Sequence, residues 1–160
     1  MKKYNNIIAI DCDVDKSGVA YLFVPTREFT LSSLTFPKLL DYLQTVKFTI
    51  IDVVVIVEAG WLNAKSNFHG QSGNAGQRIA KNVGANHQTG KHIIEMCKHI
   101  GLEVVEQKPI AKTWRGRDKK ITHEELAYFT GIMGKTNQEE RDAALLAWNY
   151  AGLPIKIKVK

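Results

Sequence analysis

Residues 53 to 60 read VVVIVEAG. Five β-branched side chains in a row, Val53 to Val57, suit a strand buried on both faces, as in parallel sheets with helices on either side. The run ends in a carboxylate, Glu58, followed by Ala59 and Gly60. An acid at the C-terminal end of a buried strand has two common explanations. It marks where the sheet meets solvent, or it stands in the crevice where open α/β sheets place their ligands.

The bulk properties narrow the field. A chain of 160 residues is expected to form one domain, residues 1 to 160, with a real core. A hydrophobic content of 44% argues for a folded protein rather than a disordered one. The 22 Lys and Arg against 16 Asp and Glu leave a net charge of +6. That balance suits a polyanionic partner but specifies neither fold nor chemistry. Cys12 and Cys97 lie far apart and match no zinc spacing, which implies a reduced, cytoplasmic protein. The opening MKKYNNIIAIDC has only four apolar residues before an acid, too few for a signal peptide. No segment approaches the roughly 20 apolar residues of a membrane span.

Upstream of the central run, Ile7 to Ile10 reads as a short buried strand ending at Asp11. A polar turn follows, with Asp13 and Asp15 as turn residues and Gly18 closing it. Val19 to Val24 is the antiparallel partner, and Phe29 to Leu34 a third strand. Pro37 opens a helix carrying Leu39, Leu40, Leu43 and Val46 at helical spacing.

Downstream, residues 60 to 76 lack periodicity and read as a long exposed loop bearing Trp61 and Phe68. A helix is expected from about Gly76 to His99, with Ile79, Val83, Ile93, Ile94 and Cys97 facing inward. Gly84 and Gly90 weaken its middle, and Gly101 is its C-cap. Leu102 to Glu106 is another strand. Residues 108 to 120, KPIAKTWRGRDKK, form a basic loop around Trp114. Thr122 and Glu125 have capping-box spacing and open a helix to about Phe129. A last helix spans about Gln138 to Ala151, with Ala143, Ala144, Leu146, Ala147 and Tyr150 inward. The tail, 153 to 160, alternates apolar and basic residues and is an edge strand or a frayed end.

Acids recur where chemistry can use them. Asp11 ends the first strand and Glu58 the central one. Glu139 and Asp142 lie three apart on the last helix and share a face. Parallel pairing of the two strands sets Asp11 beside Glu58, and a helix across that end brings the other two acids opposite. Four clustered carboxylates repel unless cations neutralise them, and oxygen-only ligands select Mg²⁺ or Mn²⁺. Two such ions about 4 Å apart form a clamp for phosphodiester hydrolysis. Each acid also has a plain reading. Asp11 suits a turn, Glu139 a capping box with Thr136, and Asp142 a favourable place on the helix dipole.

These motifs resemble the RuvC-type Holliday-junction resolvases of the RNase H-like superfamily. IIAIDCDVDKSGVAYL resembles that family's strand–Asp–turn–Gly–strand opening, with Cys12-Asp13 where Pro-Gly usually stands. VVVIVEAGW resembles its strand ending in Glu, with an aromatic three residues on. EERDAALLAW resembles its Asp-x-x-Asp-Ala helix, with Glu139 for the first Asp. NVGANHQTGKHI, residues 82 to 93, is similar to its central helix, and the stretch from Pro109 through Lys120 to its Lys-bearing DNA-contacting segment.

The resemblance implies an α/β, RNase H-like fold: a central mixed five-stranded sheet, an antiparallel hairpin meander then parallel strands, flanked by helices. It implies a metal-dependent, structure-selective endonuclease that resolves four-way DNA junctions in recombination or repair, as a homodimer. Asp11, Glu58 and Asp142 would be catalytic metal ligands and Glu139 a fourth, holding two Mg²⁺ ions for which Mn²⁺ substitutes. Trp61 would match the aromatic used at opened base pairs. Lys112, Trp114, Arg115, Arg117, Lys119 and Lys120 would contact DNA, as would Arg78, Lys81 and Lys91. A nuclease acting on RNA–DNA hybrids or flaps, and a non-catalytic protein that binds branched DNA, are the alternatives.

Overall fold

The computed structural model describes residues 3–63 and 73–157. Five strands form one sheet: β1 (Asn6–Asp11), β2 (Ser17–Phe23), β3 (Glu28–Leu34), β4 (Val53–Glu58) and β5 (Glu103–Gln107). Their order across the sheet is β3-β2-β1-β4-β5. The first three form an antiparallel meander, while β4 and β5 run parallel to β1. This is the expected mixed sheet. Ile10 pairs with Val57, so Asp11 and Glu58, each one residue further on, end their strands level with one another.

Strand pleating sends alternate side chains to opposite faces. Ile8, Ile10, Val19, Val55 and Val57 pack under α1 (Phe36–Thr49) and the C-terminal half of α2 (Asn74–Ile100). Ile7, Ala9, Ala20, Leu22, Val54 and Ile56 pack against α3 (His123–Thr130) and α4 (Gln138–Tyr150). Burying each large aliphatic side chain contributes about 1.5–3 kcal/mol, so both layers hold the β-branched run in place.

The α4 layer is unusually close, because small residues face small residues. Ala9 and Ala20 meet Ala143, Ala144 and Ala147. Gly18 continues this contact: a Cβ placed there would lie 2.1 Å from the Glu139 carbonyl oxygen. The close approach carries Asp142 to the end of the sheet.

Several expectations need correction. Helix α2 begins at Asn74, two residues before Gly76. Its Ile79 is 41% exposed rather than inward, because the first turns extend past the sheet and only its later residues join the core. The cap of α4 is Asn137 with Glu140, not Thr136 with Glu139; Asn137 Oδ1 accepts from Glu140 N at 2.8 Å. Trp148 and Leu145 are buried as well. The chain from Leu153 to Ile157 forms no strand. Residues 64 to 72, with Phe68, and 158 to 160 of the tail lie outside the described residues. No described helix is long and apolar enough to cross a membrane.

Candidate active site

Asp11 and Glu58 open into a cavity of about 290 Å³ at the C-terminal ends of β1 and β4. Their side chains are hydrogen-bonded to each other. Burial pushes the Asp11 carboxyl well above the usual carboxylate range, and the negative charges of Glu58 and Asp142 push it the same way. Burial also raises Glu58, while the hydrogen bond from Asp11 opposes that rise. Burial and mutual repulsion thus favour the protonated form at Asp11 more than in a free carboxyl.

Asp142 reaches the same cavity from α4. Its Oδ1 accepts from Gln138 Nε2 at 2.8 Å, and its Oδ2 lies 3.3 Å from Lys120 Nζ. Burial acts to lower the Lys120 pKa, but the negative charges of Asp142, Asp11 and Glu139 together, with the Asp142 hydrogen bond, outweigh it and the net shift is upward. Gln138 and Arg141 tie the basic loop to α4. Arg141 Nε donates to the Ile121 carbonyl at 3.1 Å and its Nη2 to Gln138 Oε1 at 2.9 Å. Lys120 is thus delivered to the acids by its neighbour's backbone.

Among the described residues, no three His, Cys, Asp or Glu side chains are gathered closely enough to hold a metal ion as they stand. Asp11 and Glu58 are paired with each other, and Asp142 is taken by Gln138 and Lys120. Glu139 does not line this cavity; it borders a separate surface hollow with Asp13 and Asn137. Asp13 and Asp15 act as turn residues, Asp15 N donating to Asp13 Oδ1 at 2.9 Å.

Trp61 lines the cavity and is held from three sides. Its Nε1 donates to Glu106 Oε2 at 3.1 Å, and its ring meets His87 edge-on at 5.8 Å between centroids. Lys91 Nζ stands 5.8 Å from the ring centre. Trp114 and Lys112 form another part of the wall. Trp114 stacks on Phe129 with centroids 6.1 Å apart. Arg115, Arg117 and Lys119 are exposed on the same loop but do not line the cavity; Arg117 lies 3.8 Å from Asp118. Arg78 and Lys81 are exposed on the projecting part of α2.

Asn86 and His87 also line the cavity, and the sequence reading missed both. Asn86 accepts from Val14 N at 3.2 Å and donates to Asp13 Oδ2 at 3.3 Å, so α2 grips the turn that follows Asp11. A signal for them was present. Val83, Asn86, His87 and Gly90 continue the helical stripe of Ile93, Ile94 and Cys97.

No family model matches the chain, and no curated protein matches it. Among solved structures it is similar to T. thermophilus RuvC in complex with Holliday junction substrate. The TM-score is 0.54 at 15% identity, covering 91% of this chain and 92% of that one. At that identity the likeness concerns the fold, which is the RNase H-like fold.

Proposed function

We propose that this chain is a divalent-metal-dependent endonuclease that hydrolyses DNA phosphodiesters, with branched DNA, and four-way junctions foremost, as its substrate in recombination or repair. The observation that carries the reading is the hydrogen-bonded pair Asp11 and Glu58 on level ends of adjacent parallel strands, with Asp142 across the same cavity.

The donor set fits a hard cation. Two hydrogen-bonded, half-buried carboxyl groups offer the all-oxygen environment that Mg²⁺ or Mn²⁺ prefers, and a cation there would offset their repulsion. Asp11 and Glu58 would hold the ions, joined by Asp142; Glu139, which borders a separate hollow, is left out of the set. Bound there, two such ions supply an activated water and charge stabilisation at the leaving oxygen.

The chain's own groups do the rest. Lys112 and Lys120 bring ammonium groups to the cavity, where they offset the charge of a phosphodiester. Trp61 and Trp114 wall it and restrict water. Arg78, Lys81, Lys91, Arg115, Arg117 and Lys119 are exposed and would meet phosphates beyond the cavity. A four-way junction has two-fold symmetry, so the reading includes a homodimer with two such sites. The junction complex described for the structural neighbour supports the branched-DNA part.

The test is cleavage of a synthetic four-way junction with Mg²⁺ by the parent chain and by Asp142→Asn and Glu58→Gln. Paired cuts leaving 5′-phosphate and 3′-hydroxyl ends are expected from the parent alone. Equal cutting by both variants would remove the proposed mechanism. Preference for an RNA–DNA hybrid or a flap over the junction would move the substrate to the alternative reading.

A further inference from the structure

A second hollow of about 540 Å³ lies next to the catalytic cavity, and Trp114 lines both. We infer that this groove, between Trp114 and Tyr128, is a binding site for an unpaired nucleobase of the DNA strand that enters the catalytic cavity. The inference rests on the nuclease reading above and deepens it.

The groove has the size and the surfaces that a base requires. Its volume falls within the roughly 300–1,000 Å³ usual for small-molecule sites. Trp114 is a stiff wall, because its ring is stacked on Phe129 and Phe129 in turn lies 5.8 Å from the buried Trp148. Tyr128 precedes Phe129 on the same helix. Neighbouring helical residues point about 100° apart, so Phe129 enters the core while Tyr128 stays 52% exposed beside the groove. Two aromatic side chains over one hollow are how sequence-tolerant single-strand sites hold bases.

The groove's charges are balanced, Arg115 and Lys156 against Glu124 and Glu125, and the two cations suit phosphates on either side of a bound base. The Glu125 carboxylate, which also lines it, is engaged by backbone donors. It accepts from Arg115 N at 3.1 Å and from Thr122 N at 3.0 Å, which fixes the groove wall. Continuity with the catalytic cavity through Trp114 favours DNA over a second copy of the chain. Paired bases bury their faces in the stack, so the occupant is a base that branching has left unstacked.

The experiment uses the full chain with EDTA, so that binding is read without cleavage. Probes are a single strand of about ten nucleotides, a plain duplex, and a four-way junction carrying 2-aminopurine at an unpaired position beside the cut. Tyr128→Ala is expected to weaken single-strand binding roughly 5- to 150-fold, the equivalent of one lost base stack. It should also restore 2-aminopurine fluorescence and leave duplex affinity unchanged, while Tyr128→Phe keeps parental binding. If Tyr128→Ala binds the single strand as the parent does, while the parent still cuts junctions with Mg²⁺, the groove assignment fails and the nuclease reading stands. If the parent binds no DNA, both fail. If Tyr128→Ala instead turns a dimer into a monomer in light scattering, the occupant is a second copy and the nucleobase is excluded.

Discussion

The indole of Trp61 fills the space that a side chain at Gly90 would need. A Cβ built on Gly90 would lie 2.8 Å from Trp61 Cζ3 and 3.3 Å from Cys12 Sγ. The missing side chain in the middle of α2 is what lets the helix close on the loop after Glu58. A glycine that weakens a helix by propensity here permits its docking.

Gly90→Ala should therefore destabilise the protein, although alanine is the better helix former. Overpacking costs about 1–3 kcal/mol, which exceeds the roughly 1 kcal/mol of regained propensity. Gly84→Ala is the control, since nothing stands within 4 Å of a Cβ there. It should raise stability by roughly 0.5–1 kcal/mol. Denaturant melts of the two variants check the opposite signs.

Asp11→Asn should melt higher than the parent at pH 8 in EDTA. The Asp11 pKa is raised in the folded state, first by burial and then by Glu58 and Asp142. A group raised in this way lends its full stability below the ordinary carboxylate value, and that stability is lost as pH rises through the folded value. The advantage of the variant should thus shrink towards about pH 4, where the unfolded carboxyl also gains its proton. Thermal melts across that range test it. Adding Mg²⁺ should stabilise the parent and leave the variant unmoved.

Asn86→Ala should cut the turnover of junction cleavage more than it changes KM. Asn86 holds the turn after Asp11 through Val14 N and Asp13 Oδ2 and is part of the α2 wall of the Asp11–Glu58 cavity. Losing two hydrogen bonds should also cost about 1–3 kcal/mol of stability. Steady-state kinetics beside a melt separate the two effects. A variant that only melts earlier, with parental turnover below its transition, would show that the latch is structural alone.

Lys120→Gln should lower the rate of cleavage on the order of 100-fold, the usual consequence of removing one charge-stabilising donor. Its Nζ lies 3.3 Å from Asp142, and the residue lines the Asp11–Glu58 cavity. Arg117→Ala should instead leave the single-turnover rate alone. That side chain is 97% exposed outside the cavity, so its loss should weaken DNA binding uniformly across sequences and lower the salt slope by about one unit. Single-turnover cleavage and affinity at several salt concentrations distinguish the two.

Much of this was legible in the residues alone. The run Val53 to Val57, Ile7 to Ile10 before Asp11, and the glycine-closed hairpin to Val19 place three strands correctly. β-branched stretches and turns are local signals, set by side-chain shape and backbone freedom. The acids at the strand ends were visible for the same reason, and so was the Thr122 capping box that the structure contains. Local signals misled where two neighbours competed. Thr136 with Glu139 and Asn137 with Glu140 have the same spacing, and the backbone uses the second pair.

By itself, then, the sequence determined the order of strands and helices and the two acids that close neighbouring strands. Only the tertiary structure decided what each side chain meets. It ties Trp61 to Glu106 and Gly90, brings Lys120 to Asp142 through Gln138 and Arg141, sets Glu139 apart from the Asp11–Glu58 cavity, and adds Asn86 and His87 to that cavity's wall. The reason is physical. Strand and helix propensity act over a few residues, but these partnerships span tens of residues of chain. They form only when the small faces of β1, β2 and α4, and the notch at Gly90, let the elements approach.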